Sequence, residues 1–240
     1  MNILAIDTAT SILSAALNTD GGTWFFEADA GLRHSEILMD VIETLMTSAD
    51  LPRDKLEGVV CMKGPGSFTG LRIGFAAAKG LALSLGIPFT AVPTLDCMAF
   101  SSPAWPGFVL PLIDAKQNNF FTALYRGGKR LSDFIDAGTS RIAGMVSGAL
   151  SGAPLEEKRL LLTGPDAGIF CARLRENTPA LLPEDLIFLD PECRKGRAKE
   201  LLEVVKNVDI FDNRADDLFT GPDYIRKSDA ELHFRSPGPF

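Results

Sequence analysis

The chain opens with short apolar runs separated by turn-formers, before any helical period appears. Ile3-Leu4-Ala5-Ile6 is a continuous apolar run, the pattern of a strand buried on both faces, and it ends in Asp7-Thr8-Ala9-Thr10-Ser11. Ser14 to Asn18 continues as a second strand, and Gly21-Gly22 signals a hairpin into Thr23-Trp24-Phe25-Phe26. From Ser35 to about Ala49 the period changes. Ile37, Leu38, Val41, Ile42 and Leu45 fall on one helical stripe, and Met39, Glu43 and Met46 form a second, mixed face. A strand at 57–62, a glycine-rich turn, a helix from Phe68 to Leu85 and a strand at 88–92 complete a first lobe.

The stretch Ser101-Ser102-Pro103-Ala104-Trp105-Pro106-Gly107 breaks the pattern and predicts a lobe boundary. Beyond it the opening is echoed: Phe108 to Asp114 is an apolar strand ending in Asp, Asn119 to Tyr125 a second strand, and Gly127-Gly128 a turn. Helices near 140–148, 165–176 and 195–207 and a strand at 159–163 follow, with Lys195-Gly196-Arg197-Ala198-Lys199 expected to be a solvated helix start. The pattern predicts an α/β protein of two similar lobes, residues 1–103 and 104–220, with a partly flexible C-terminal segment at 221–240.

The helix from Phe68 to Leu85 is apolar on nearly every side, interrupted by Arg72 and Lys79 on one stripe. Helices of this kind are covered on both sides. One side needs the domain's own sheet; the other is met either by the same domain or by a partner. Gly70, Gly74 and Ala78 recur every four residues and predict a side-chain-poor groove that a partner helix could enter. A membrane span is not expected, because charges and glycines interrupt the run.

Composition narrows the chemistry. The chain has 240 residues, 46% apolar and 23% charged, as an ordinary globular protein does. A net charge of −7 argues against this chain gripping a nucleic acid unaided. The four cysteines form no C-x-x-C pair and read as reduced, small hydrophobes. The first residues read as a core strand rather than a secretory leader. Only His34 and His233 are present, without the spacing of a zinc peptidase site. His34, at a helix start, is expected to be exposed or to serve the cap, and His233 lies in a Pro/Gly-rich terminal stretch.

The most informative segment runs from Lys63 through Gly64-Pro65-Gly66-Ser67-Phe68-Thr69-Gly70-Leu71-Arg72-Ile73-Gly74. A glycine-rich turn between strand and helix gathers backbone N–H groups where anions are held. Neither standard nucleotide loop fits. A P-loop would place its second glycine at Thr69, and the dinucleotide fingerprint also needs a glycine at 69, whereas it arrives at 70. An anion cradle and a plain tight turn both remain open.

Taken with Ile3-Leu4-Ala5-Ile6-Asp7-Thr8, His34-Ser35-Glu36, Leu112-Ile113-Asp114-Ala115 and Pro222-Asp223-Tyr224-Ile225-Arg226-Lys227, this segment resembles the bacterial TsaB (YeaZ) family. That family belongs to the Gcp/M22 glycoprotease-like group of the actin-like ATPase superfamily. The resemblance is strong over residues 1–125, weak from 130 to 215, and returns after 220. It implies an actin-like (ASKHA, RNase H-like) fold of two similar α/β lobes with mixed sheets.

It also implies a cytoplasmic, non-catalytic subunit of the complex that makes N6-threonylcarbamoyladenosine in tRNAs reading ANN codons. The implied partners are a TsaD-like catalytic subunit and a TsaE-like ATPase, with a homodimer when alone and tRNA met only indirectly. TsaD carries metal histidines as H-x-x-x-H where this chain has Thr94 and Met98, which cannot build that site. The residues implied for a degenerate nucleotide pocket are Asp7, Thr8, Thr10, Ser11, Asp114 and Gly164. Ala9 and Ala115-Lys116-Gln117 replace the glycines that let phosphate approach, so no cofactor is expected and ATP or ADP would bind only within the complex. The implied partner interface is His34, Leu38, Met39, Gly70, Arg72, Gly74, Phe75, Ala78 and Lys79. The alternative is an autonomous enzyme, an actin-like ATPase or an M22-type peptidase; missing glycines weigh against the first and scarce histidines against the second.

Overall fold

The computed structural model describes residues 1–102, 104–177, 181–208 and 220–225. The opening segment folds as an antiparallel meander, β1 (Ile3–Asp7), β2 (Ile12–Thr19) and β3 (Gly22–Asp29). Helix α1 (His34–Ser48) returns the chain to β4 (Gly58–Gly64), parallel to β1, and α2 (Phe68–Leu85) leads to β5 (Phe89–Pro93), parallel to β4. The resulting strand order is β3-β2-β1-β4-β5. A short helix, α3 (Thr94–Phe100), then leaves the lobe.

The same order recurs in the second half. Strands β6 (Phe108–Pro111) and β7 (Ile113–Lys116) are two halves of one run broken at Leu112, beside a proline that cannot donate to a ladder. Next come β8 (Asn119–Thr122), the hairpin β9 (Tyr125–Arg126) and β10 (Lys129–Arg130), and β11 (Ile135–Gly138). Helix α4 (Thr139–Ser151), β12 (Leu160–Thr163), α5 (Ala167–Asn177), β13 (Ile187–Leu189) and α6 (Ala198–Val208) complete the described elements. β7 pairs with β8 and β8 with β11, all antiparallel; β6 pairs in parallel with β12, and β12 with β13. With β6 and β7 counted as one strand, the order β11-β8-β7/β6-β12-β13 repeats that of the first lobe. The two-lobed α/β architecture with mixed sheets expected from the sequence is present, and its echo is a duplication of topology.

Alternating apolar residues bury both faces of each sheet. In the first lobe Leu4, Ile6, Leu13, Val59 and Cys61 meet α1 and α2, while Ile3, Ala5, Ala16, Val60 and Met62 face the other way. That second face is covered by Ala198, Leu201, Leu202 and Val205 of α6. The last helices of the two halves therefore pack across the seam. α6 follows β13 yet lies on the first sheet, and α3 turns Leu95, Met98 and Ala99 onto Val109, Ile113 and Leu161 of the second. Lobe membership thus departs from chain order at the predicted 104–220 unit, whose last described helix belongs to the first lobe's core. The start of α6 is not solvated as expected. Arg197 is 1% exposed and Ala198 fully buried, because α6 lies on the apolar sheet face.

Helix α2 also departs from expectation. Gly70, Gly74 and Ala78 face the chain's own β1 rather than a partner: a Cβ on Gly70 would run into the Thr8 carbonyl oxygen, and one on Gly74 into the Thr8 hydroxyl. The small residues let α2 lie close on its own sheet. Gly74→Leu is therefore expected to destabilise the folded chain itself by about 1–3 kcal/mol through overpacking. Urea unfolding followed by circular dichroism measures this.

Candidate functional site at the seam between the lobes

The glycine turn folds against the β1–β2 turn. The Ser67 N–H donates to Ala9 O (2.7 Å), the Thr8 hydroxyl to Gly70 O (2.7 Å), and the Ser67 hydroxyl caps α2 by accepting from Gly70 N–H (3.2 Å). Gly66 is required because a Cβ there would collide with Ala9 O. Of the two open readings of this segment, the tight turn is the one these bonds build.

Asp7 stands at the end of β1 in the centre of the molecule, 1% exposed. One carboxylate oxygen accepts from Ala9 N–H (3.0 Å), the other from Arg197 N–H at the start of α6 (2.9 Å). Two neighbouring amides are held in the same way, Gly196 N–H by Glu27 (2.8 Å) and Ala198 N–H by the Ser14 hydroxyl (3.1 Å). Three first-lobe side chains thus cap the N-terminus of a second-half helix, where unsatisfied amides and the helix dipole favour oxygen acceptors and negative charge. Burial raises the Asp7 pKa above its ordinary value, against the pull of those two N–H donors.

The Arg197 side chain continues across the seam. Its guanidinium donates to Glu200 (3.1 Å), the Thr163 hydroxyl (3.3 Å), Asp190 (3.4 Å) and Glu192 O (3.1 Å). Thr163 itself donates to Asp190 (2.6 Å). A buried charge needs this many partners, since desolvation costs several kcal/mol per ion.

Of the other residues expected in a degenerate nucleotide pocket, Thr10, Asp114 and Gly164 are engaged within the chain. Thr10 bonds within its own turn to Ile12, Ser11 is exposed, and the Ser11 carbonyl accepts from Ala30 and Gly31. In the second lobe the Asp114 carboxylate takes the Lys116 N–H (2.9 Å) and ammonium (2.9 Å). Although burial pushes the Asp114 pKa up, these Lys116 contacts hold it below the ordinary value. Asp166 accepts from Asp114 N–H (2.8 Å). Gly164, at φ +89°, is a close-approach glycine: a Cβ there would sit 2.6 Å from Leu112 O. Asp7 and Thr8 are therefore structural caps and ties of the first lobe, Asp114 and Gly164 turn residues of the second. The Thr94 hydroxyl accepts from Gly64 N–H (3.2 Å), and Met98 is packed between α3 and the second sheet.

The expected interface residues divide. His34, Leu38, Gly70, Gly74, Phe75 and Ala78 are buried in the first lobe, the Phe75 ring edge-on to Phe89 at 5.6 Å. Met39 is 52% exposed and Arg72 is exposed, with Lys79 half-buried. His34 is not an exposed cap: Arg33 precedes the helix without a side-chain cap bond, and the imidazole is buried against the β1–β2 side of the lobe. The outward stripe of α2 is instead Phe68, Arg72, Ala76, Gly80 and Leu83. The described part of the Pro222–Lys227 motif, residues 222–225, returns to this helix. Tyr224 accepts from Arg72 Nε (3.1 Å), the Lys79 ammonium donates to Thr220 O, and Asp223 N–H donates to Lys63 O (2.8 Å). Residues 226–240, including Arg226, Lys227 and His233, lie outside the described residues.

Sequence reasoning missed Arg197, Asp190, Thr163, Ser14 and Glu27. The one local signal was a glycine immediately before Arg197 at a helix start, which carries no information about a partner over a hundred positions away. Arg197→Ala removes one side of a buried charge group. It is expected to lower the unfolding free energy by about 3–5 kcal/mol, measured by denaturant unfolding.

Burial lowers the His34 pKa below 6.5, against the backbone groups of Thr10 and Gly31 and the Asp29 carboxylate. The unfolded chain thus takes up this proton first, so the stability His34 contributes is full above pH 6.5 and lost as pH falls below it. In a His233→Gln background the His34 ring resonances are expected to titrate with a midpoint under 6.5. The unfolding free energy should fall from about pH 7 to about pH 5.

Comparison with known proteins agrees with this architecture. A YeaZ structure from Pseudomonas aeruginosa superposes with a TM-score of 0.74 at 21% identity, covering 93% of this chain and 99% of that one, a likeness of fold. The tRNA threonylcarbamoyladenosine biosynthesis protein TsaB of Bacillus subtilis (strain 168) is 38% identical over 128 residues, 52% of this chain and 56% of that protein. The protein of the same name from Escherichia coli (strain K12) is 35% identical over 128 residues, 52% and 55%. The chain spans about half the length of the curated relatives it matches. The family described as TsaD, tRNA N6-adenosine threonylcarbamoyltransferase, matches residues 26–233. That match covers most of the chain, and with the named relatives it shows that the chain belongs to this family and, within it, to the TsaB (YeaZ) group.

Proposed function

We propose that this chain takes part in tRNA threonylcarbamoyladenosine biosynthesis as a non-catalytic, scaffolding subunit that docks on a TsaD-like catalytic subunit. The observation that carries the reading is the filled seam. The acid that would serve a nucleotide or metal, Asp7, has both oxygens on backbone amides, and a buried Arg197 stands beside it. Thr94 and Met98 are likewise engaged in core contacts.

Docking is supported by the outer surface of the α1–α2 pair. Met39 and Leu83 are 52% and 70% exposed, and Ala76 and Gly80 between them offer little side chain, so a partner helix can approach to roughly 8–10 Å. This replaces the Gly70–Gly74–Ala78 groove, which is spent on the chain's own sheet. A TsaE-like ATPase joins the same assembly, and a homodimer through this face forms when the catalytic subunit is absent. The net charge of −7 supports tRNA contact through partners.

Reconstitution with the cognate catalytic subunit tests the reading. Omitting the chain is expected to abolish or sharply reduce modified adenosine in tRNA. Ala76→Arg is expected to weaken the complex at least about tenfold, as a buried, unpaired charge at an interface does. Asp114→Asn should leave product formation unchanged. ATP turnover by the purified chain, or full co-purification of folded Ala76→Arg, would sink the proposal.

A further inference from the structure

We infer that Arg72 is a preset receptor for one carboxylate of the docked catalytic subunit, an Asp or Glu side chain that its guanidinium takes through both terminal nitrogens. The inference rests on the docking reading of α1 and α2 above and adds the chemistry that the partner must bring to this point of the helix.

Arg72 is pinned everywhere except at its tip. Its guanidinium lies 3.8 Å from the ring centroid of Phe68, one helical turn back, and its Nε–H donates to the Tyr224 hydroxyl (3.1 Å). The Phe68 and Tyr224 rings stand 4.9 Å apart, so one aromatic pair holds both a face and an edge of the guanidinium. The side chain is exposed, and its two terminal nitrogens have no acceptor among the described residues. They form a planar pair of donors whose spacing matches the two oxygens of a carboxylate. Because the side chain is already held, little rotamer entropy is lost when a partner arrives.

The strap that carries Tyr224 is itself seated in the fold. Gly64 has φ +110°, and a Cβ there would lie 2.6 Å from Asp223 O, so the end of β4 is shaped to accept this backbone. Asp223 N–H and carboxylate engage Lys63 (2.8 and 3.6 Å), and Thr220 O takes the Lys79 ammonium. Lys63 and Lys79 are thus spent within the chain. Arg72 is the cation of the outward stripe that has donors to offer.

Charge selects a protein carboxylate over the other planar acceptor, an RNA phosphate. A polyanion is gripped by several cations together, whereas this face offers one, with exposed Glu36 and Asp40 on the neighbouring α1. A single carboxylate needs only the one fork. Phe68, Ala76 and Leu83 along the same stripe exclude water once a partner covers them, and a charge-assisted pair is strengthened there.

Calorimetric titration of the full chain with its cognate catalytic subunit tests this. Arg72→Lys, which keeps the charge and loses the fork, is expected to weaken binding at least about tenfold. Tyr224→Phe keeps the ring stack but releases Nε, and should cost about threefold or more. Circular dichroism checks that each variant is folded. Each exposed Asp and Glu on the contact helices of the catalytic subunit is then changed to Asn or Gln. One such change is expected to weaken binding to the wild type at least about tenfold and to have no further effect on Arg72→Ala. If folded Arg72→Lys binds as tightly as the wild type, or Arg72→Ala silences no change in that scan, the receptor is wrong and the docking reading stands. Unchanged affinity between the subunits, with weaker tRNA binding by the assembled Arg72→Ala complex, makes Arg72 a phosphate contact and overturns the inference equally. If the wild type does not bind, or folded Ala76→Arg binds as the wild type does, the docking reading falls and the receptor with it.

Discussion

The N-terminus of α6 is the contact on which the rest of this structure depends. A helix buried at its start has amides that must find acceptors, and here Asp7, Ser14 and Glu27 of the first lobe supply three in a row. Arg197, whose backbone N–H donates to Asp7, sends its side chain in the opposite direction to Asp190 and Thr163. One residue is therefore fastened to both lobes at once. Helix α6 on the first sheet and α3 between the two sheets add apolar cover on either side of that fastening.

That arrangement decides what the seam can do chemically. A carboxylate at the end of the first strand of such a lobe is placed to serve a ligand between the lobes, provided its oxygens are open. Here both are taken by the chain's own amides, and the neighbouring side chain is a buried cation tied to four acceptors. The equivalent acid of the second lobe is neutralised by Lys116, two residues on. The centre of the molecule is built for cohesion.

Helix α2 shows how one element serves both ends. Its glycines bring the backbone onto Thr8 and Ile6, which fixes the helix firmly on the sheet. The opposite side then stands clear of the core and carries Phe68, Arg72, Ala76, Gly80 and Leu83 outward. The returning strap at 220–225 orders the first two of these and leaves the rest open.

Much of this was legible along the chain. Local apolar period placed β1, β2, α1, α2 and α5 within a few residues, because burial on one stripe or both faces dictates which side chains can stand at each position. The turn motif from Lys63 to Gly74 was legible as well, since close backbone approach leaves no alternative to glycine. What the sequence left undecided was the partner of each feature. Gly70, Gly74 and Ala78 announce that some backbone comes close, yet a foreign helix and the chain's own β1 impose the same small side chains. Asp7 announces an acid after a strand, and a metal ion or a helix N-terminus is satisfied by it equally well. Arg197 in Lys195–Lys199 has the composition of a solvated helix start, and only the placement of α6 on the first sheet turns it into a buried clasp. Period and spacing are local properties, fixed by neighbours a few residues away. The identity of a contact across 190 positions of chain, as between Asp7 and Arg197, exists only once both lobes have closed around it.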